Sequence, residues 1–156
     1  MAKPRKKAGR LDGTPALQRL LDRVSNSGGL ARLLGLKLVS ISKRRVKLLL
    51  PWSRLITQRD KLVHGGALAA LADTAAGLGT LYSLPKDWDA LTTHLEIEFF
   101  GNIRSGFLEA SARLVHRGRK TMAWEVLIRE SLRKKLVSIS FVSLLLIPPS
   151  GPGAPS

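Results

Sequence analysis

The stretch LVHGGALAALADTAAGLG, residues 62–79, is built almost wholly of glycine, alanine and leucine, yet it opens on His64 and carries one carboxylate, Asp73. At 100° per residue, Leu68, Leu71, Ala75 and Leu78 fall on one stripe of a helix, which predicts that they fill the concave side of a sheet. Gly66, Ala70, Asp73 and Gly77 fall on the opposite stripe. Two glycines inside a helix cost about 1 kcal/mol each relative to alanine, so something is expected to approach that face closely. A membrane span is not expected, because Asp73 lies at the centre and alanine and glycine contribute little to insertion. A charge on an otherwise apolar helix therefore has either a partner or a task.

Working outward, Thr14-Pro15 reads as a helix start, followed by Leu17, Leu20, Leu21 and Val24 at helical spacing. A further turn runs through Ala31 to Leu34. GLKLVSIS (35–42) alternates Leu36, Leu38 and Ser40 against Lys37, Val39 and Ile41, and RRVKLLLPW gives a second strand ended by Pro51. After a polar loop the long helix starts near Gly65 and ends near Pro85. LTTHLEIEFF (91–100) alternates again, with Leu91, Thr93, Leu95, Ile97 and Phe99 on one face and Thr92, His94, Glu96 and Glu98 on the other. Strands at 107–116, 120–130 and 135–147 complete a meander with a glycine-containing turn at Arg117-Gly118-Arg119. This order predicts an α+β domain over residues 14–147: one antiparallel sheet wrapped around one long central helix. Residues 1–13 read as a disordered basic arm and 148–156 as a flexible proline, glycine and serine tail.

The 156 residues hold 26 lysines and arginines against 11 acidic residues, a net charge of +15. A surface this basic attracts polyanions: nucleic acid, anionic membrane or phosphorylated ligands. There is no cysteine, which excludes disulfides, thiolate catalysis and cysteine-bound zinc and suits a reducing, cytoplasmic compartment. His64, His94 and His116 are scattered without metal-ligand spacing, so no metal site is expected.

Gly65 and Gly66 leave backbone N–H groups unshielded at the positive end of the helix dipole. Such groups either form an oxyanion hole or simply allow a tight turn into the helix. If Asp73 is a general base, hole and carboxylate must both reach one reacting centre, yet eight residues of helix separate them by about 12 Å. Two helices meeting antiparallel across a two-fold axis would bring the aspartate of one chain to the glycines of the other. A homodimer with two composite sites is the expectation.

HGG followed by ALADTA, with Asp73 nine positions after His64, then the LEIEFF strand, a glycine loop and the VHRGRKT hairpin, together resemble the hotdog-fold acyl-CoA thioesterases of the phenylacetate-pathway type. The resemblance covers about residues 33–147. It implies dimers that pair into homotetramers and hydrolysis of a fatty or aromatic acyl-CoA, with no cofactor beyond the coenzyme A of the substrate. It assigns Asp73 as nucleophile or general base and the Gly65 N–H as the group that polarises the thioester carbonyl. His64 and Gly66 would line the site, Thr92 would position water, and Gln58 stands where the family commonly has asparagine. Lys61 stands where a glycine is usual. Arg117, Gly118, Arg119 and Lys120, with Arg104, would lie along the coenzyme A phosphates, to which guanidinium groups pair well.

Three other readings compete. A nucleic-acid binder is favoured by the charge but has only eight aromatic residues and no recognition motif to support it. A non-catalytic acyl-CoA binder would keep the pocket without the reaction. A hydratase of the same fold would need an aspartate–histidine pair, for which Asp60 and His64 stand too close in sequence.

Overall fold

A computed structural model describes residues 29–85 and 87–149. The basic arm, the helix expected from Thr14, and the tail beyond Pro149 lie outside the described residues. A short helix α1 (Leu30–Leu33) precedes strands β1 (Lys37–Ser42) and β2 (Arg45–Pro51), and the long helix α2 spans Gly65–Ser83. Strands β3 (Asp89–Phe99), β4 (Phe107–Arg117), β5 (Thr121–Glu130) and β6 (Leu136–Ile147) follow. The six strands form one sheet in the order β1-β2-β4-β5-β6-β3, with every neighbouring pair antiparallel. α2 touches all six strands. This is the hotdog fold: a sheet curled around a single helix.

The leucine stripe of α2 behaves as its spacing requires. Leu68, Leu71, Ala75 and Leu78 are at most 1% exposed and pack with Leu48, Leu108, Val126 and Val142 from the strands. Each buried leucine contributes about 1.5–3 kcal/mol. Gly79 admits the largest core side chain: a Cβ there would collide with the ring of Trp124. The Trp124 indole N–H donates to Thr80 Oγ1 at 2.8 Å, so the buried ring is also polar-satisfied.

Two β-bulges change the simple alternation. The β1–β2 register shifts between Leu38 and Ser40, and Ile41, not Ser40, packs against the core beyond it. The β3–β6 register shifts between Thr92 and His94. The extra residue reverses the facing of the strand on one side of the bulge. Leu95 and Ile97 pack inward as expected, but so does Ala90, while Leu91 is 59% exposed. Thr92 consequently shares the inner face with Ala90.

An apolar helix is normally covered all round. Here the described residues cover only one side: Gly66 is exposed, Ala70, Asp73 and Gly77 are half-buried, and among the described residues a Cβ at Gly77 would meet nothing within 4 Å. No helix among the described residues is long and apolar enough to cross a membrane.

Candidate active site

The exposed stripe of α2 carries two adjoining grooves. One, of about 290 Å³, is lined by Asp73, Thr74, Gly77 and Leu81 of α2 and by Ala90, Thr92 and Leu144 across from them. The second, of about 310 Å³, lies towards the start of the helix and is lined by His64, Gly66, Ala67 and Leu55 among others. Leu30 and Ala70 border both, so the grooves run on from one another along the helix.

Asp73 sits at the centre of this stripe. The Thr92 hydroxyl donates to Asp73 Oδ1 at 2.7 Å. The bulge at Thr93 makes that bond possible by turning Thr92 inward, and Ala70 and Gly77 on either side of the carboxylate leave it uncrowded. No lysine, arginine or histidine among the described residues forms an ion pair with it. Among the described residues Asp73 is thus oriented by a neutral donor and paired with no cation, which leaves Oδ2 to act on something else.

At the helix start, His64 is the N-cap, and its Nδ1 accepts from the Gly66 N–H at 2.9 Å. That contact takes the second orphan donor of the helix. Ala67 N–H already reaches the His64 carbonyl, whereas the Gly65 N–H has no hydrogen-bond acceptor among the described residues. Of the two glycine donors, Gly65 is the one left available. The ring of Phe99 lies over it, 3.3 Å from where a Cβ would stand.

A support for this corner was not foreseen from the sequence. Asn102, in the loop after β3, accepts from the Val63 N–H at 2.9 Å and donates to the Val63 carbonyl at 2.8 Å. It therefore clamps the residue that precedes His64. The one hint in sequence was an asparagine in a glycine loop; its partner lies 39 positions away. The loop before Val63 is also held: Asp60 and Lys61 adopt left-handed backbone with φ of 57° and 60°, and the Trp52 indole donates to the Lys61 carbonyl at 2.9 Å. Lys61 occupies the conformation that a glycine adopts without strain, which explains how the chain keeps the turn with a different residue.

The other expected site residues are dispersed. Gln58 is exposed and borders neither groove; its N–H bonds the Leu62 carbonyl. Arg104 Nε donates to the Asp60 carbonyl at 3.1 Å, which fastens the same loop. Arg117 donates to the Ser83 carbonyl at 3.3 Å, at the negative end of α2. Gly118 closes the β4–β5 turn through its N–H to Thr121 O. Arg119 and Lys120 are exposed beside a third groove with Trp88, Leu146 and Pro148. Among the described residues no cluster of three histidine, cysteine or carboxylate side chains is arranged to hold a metal ion.

The hotdog architecture thus sets an oriented carboxylate and an available helix-start N–H on one uncovered face of α2. Residues 60–135 match the Thioesterase superfamily, so the chain carries a domain of that family of thioester hydrolases. It is 27% identical over 108 residues to the 1,4-dihydroxy-2-naphthoyl-CoA hydrolase of Listeria monocytogenes, an alignment covering 69% of this chain and 88% of the relative. A thioesterase from Haemophilus influenzae superposes with a TM-score of 0.78 at 24% identity, covering 86% of this chain and 92% of that one. A mutant thioesterase from Pseudomonas aeruginosa gives the same TM-score at 22% identity, covering 86% and 96%. At those identities the two structures speak to the fold alone.

Proposed function

We propose that the protein hydrolyses a fatty or aromatic acyl-CoA to the free acid and coenzyme A, at sites shared between two protomers, as an enzyme of the phenylacetate-pathway type. The observation that carries this is the Thr92–Asp73 pair on the uncovered, small-residue face of α2. Within one chain about 12 Å of helix rise separates Gly65 from Asp73. Antiparallel packing of two α2 helices removes that separation, and the open space at Gly77 leaves room for the approach.

In such a site the thioester carbonyl oxygen accepts from the partner's Gly65 N–H. Asp73 Oδ2 either attacks the carbonyl carbon itself or takes a proton from a water that attacks. As the carbon becomes tetrahedral, the charge on its oxygen grows and the N–H at the positive helix end stabilises it. The C–S bond then breaks, the sulfur leaves as thiolate and is protonated, and the acyl group leaves as carboxylate. If Asp73 has attacked directly, water hydrolyses the resulting anhydride. Arg117, Arg119 and Lys120 supply cations for the phosphates of coenzyme A, and the cysteine-free chain suits the cytoplasm.

The likeness to a naphthoyl-CoA hydrolase supports an acyl-CoA substrate. The test is thiol release from short, long and aromatic acyl-CoAs by wild type and Asp73→Asn. Loss of hydrolysis by at least about a hundredfold in the variant is expected, as for removal of a general base. The variant should unfold at no lower temperature than wild type, since it removes a half-buried unpaired charge. Equal rates in the two proteins would refute the role of Asp73.

A further inference from the structure

One end of the sheet carries charge that the hydrolytic site does not use. The segment RESLRKK, residues 129–135, holds four cations and a single carboxylate, Glu130. It forms the turn between β5 and β6, and the turn is fixed in shape. The Glu130 N–H donates to the Lys135 carbonyl and the Lys134 N–H to the Glu130 carbonyl, both at 2.9 Å, with Lys134 in left-handed backbone at a φ of 55°. Leu132 lies within this turn and is 88% exposed, the most of any large apolar side chain among the described residues.

A lone exposed leucine is ordinary, but this one is not alone. The Ser131 N–H donates to the Phe107 carbonyl at 2.9 Å, which sets the exposed Phe107 beside the turn. Phe100, also exposed, follows β3 at the same end of the sheet, its N–H bonded to the Val137 carbonyl at 2.8 Å. The stem of Lys135 lies between them, with its Cε 3.9 Å from where a Cβ of Gly101 would stand. Of the cations, Lys134 reaches Glu109 at 3.3 Å, and Glu109 is shared with Lys47 at 3.6 Å. Arg133 and Lys135 are exposed and form no ion pair among the described residues.

The chemistry of this end selects its occupant. A second copy packed on it about a two-fold axis would set Arg133 and Lys135 against the same cations. Single-stranded nucleic acid stacks its bases on flat rings along a groove, whereas the most exposed side chain here is aliphatic and stands on a hairpin turn. An anionic bilayer satisfies both features, since headgroup phosphates attract the cations and the acyl boundary takes up leucine and phenylalanine.

We propose that the β5–β6 turn docks the protein on an anionic lipid surface, with Leu132 entering the acyl boundary between Phe107 and Phe100, and Arg133 and Lys135 on the headgroup phosphates. The docking does not depend on which reaction the α2 site performs.

The chain has no cysteine, so Leu132→Cys can carry a single polarity-sensitive dye in the full-length protein. Vesicles of phosphatidylcholine with about a third phosphatidylglycerol should sediment the protein and shift the dye to the blue, and added salt should release it. Vesicles of phosphatidylcholine alone should do neither. Leu132→Ser should weaken vesicle binding about tenfold, the effect of one leucine left out of the apolar phase, and Arg133→Glu/Lys135→Glu at least as much. Both variants should melt no lower than wild type, because all three side chains are exposed. The basic residues at positions 3–10 add attraction to any polyanion, so the dye decides where sedimentation alone does not. Anionic vesicles that sediment the protein without moving the dye would overturn the proposal, as would equal binding by wild type and both variants. A blue shift raised by protein concentration alone would give the turn to a second copy, and one raised by single-stranded RNA but not by anionic vesicles would give it to nucleic acid; either result overturns the proposal.

Discussion

Thr92 and Asp73 are joined by a 2.7 Å hydrogen bond that exists because β3 bulges immediately after Thr92. An unbroken strand that kept Leu95 and Ile97 inward would turn Thr92 to the outer surface. The bulge is therefore part of the site, as bulges beside active sites often are. Thr92→Val keeps the branched shape and removes the donor. A lost hydrogen bond to a charged group is worth about 1.5–3 kcal/mol, so kcat should fall about ten- to a hundredfold. KM should change little, and Thr92→Ser should recover most of the rate. Steady-state kinetics of the three proteins on one acyl-CoA check this.

Gly79 and Gly77 lie two residues apart on α2 and predict opposite outcomes. A methyl at Gly79 would strike the Trp124 ring, which is fully buried and tethered to Thr80. Gly79→Ala should cost about 1–3 kcal/mol, the usual range for overpacking. A methyl at Gly77 meets nothing among the described residues. Gly77→Ala should instead recover up to about 1 kcal/mol of helix propensity. Chemical denaturation of each variant at a concentration where chains are dissociated gives the comparison.

The leucine stripe, the helix bounds and the succession of strands along the chain were legible because they follow from periods of 3.6 and 2 and from glycine and proline punctuation; the pairing of β3 with β6 at the sheet edge was not. Asp73 and Gly65 stand out in the sequence as candidates, an isolated charge and a paired glycine in an alanine-rich helix, and the structure sets both on the uncovered side of α2 with a free oxygen and a free N–H among the described residues. What escaped is what depends on distant partners. A bulge leaves no mark in LTTHLEIEFF: simple alternation sets Thr92 on the face opposite Leu95 and Ile97, and only the resemblance put it in the site. Gly79 looked like one more small residue until Trp124, 45 positions on, filled its space. Arg104 and Gln58 were grouped with the site by charge and by resemblance; the first ties the loop at Asp60, and the second is exposed away from both helix grooves.

Asn102 is expected to matter for both stability and rate. Replacing it with alanine leaves the Val63 N–H and carbonyl without their side-chain partner beside a residue that is fully buried. Each unpaired buried group costs about 1–3 kcal/mol, so Asn102→Ala should lower the melting temperature measurably. Because Val63 leads directly into His64 and Gly65, the surviving folded protein should also show a reduced kcat. Activity measured well below the melting transition separates the two effects.

The shared-site geometry makes one prediction that no single-chain site can satisfy. Gly65→Pro removes the backbone N–H at the first helical position, where proline is tolerated. Alone, it should be nearly inactive, and so should Asp73→Ala. Co-expressed and co-purified, the two chains form mixed dimers in which the Asp73 of one faces the Gly65 of the other. Selection for both tags leaves only mixed dimers, each with one intact site of two, so activity should return to about half of wild type for a two-fold dimer. If the carboxylate and the N–H that serve one thioester came from the same chain, every site would lack one or the other and no activity would return. Thiol release from the doubly tagged, co-purified dimers distinguishes these outcomes.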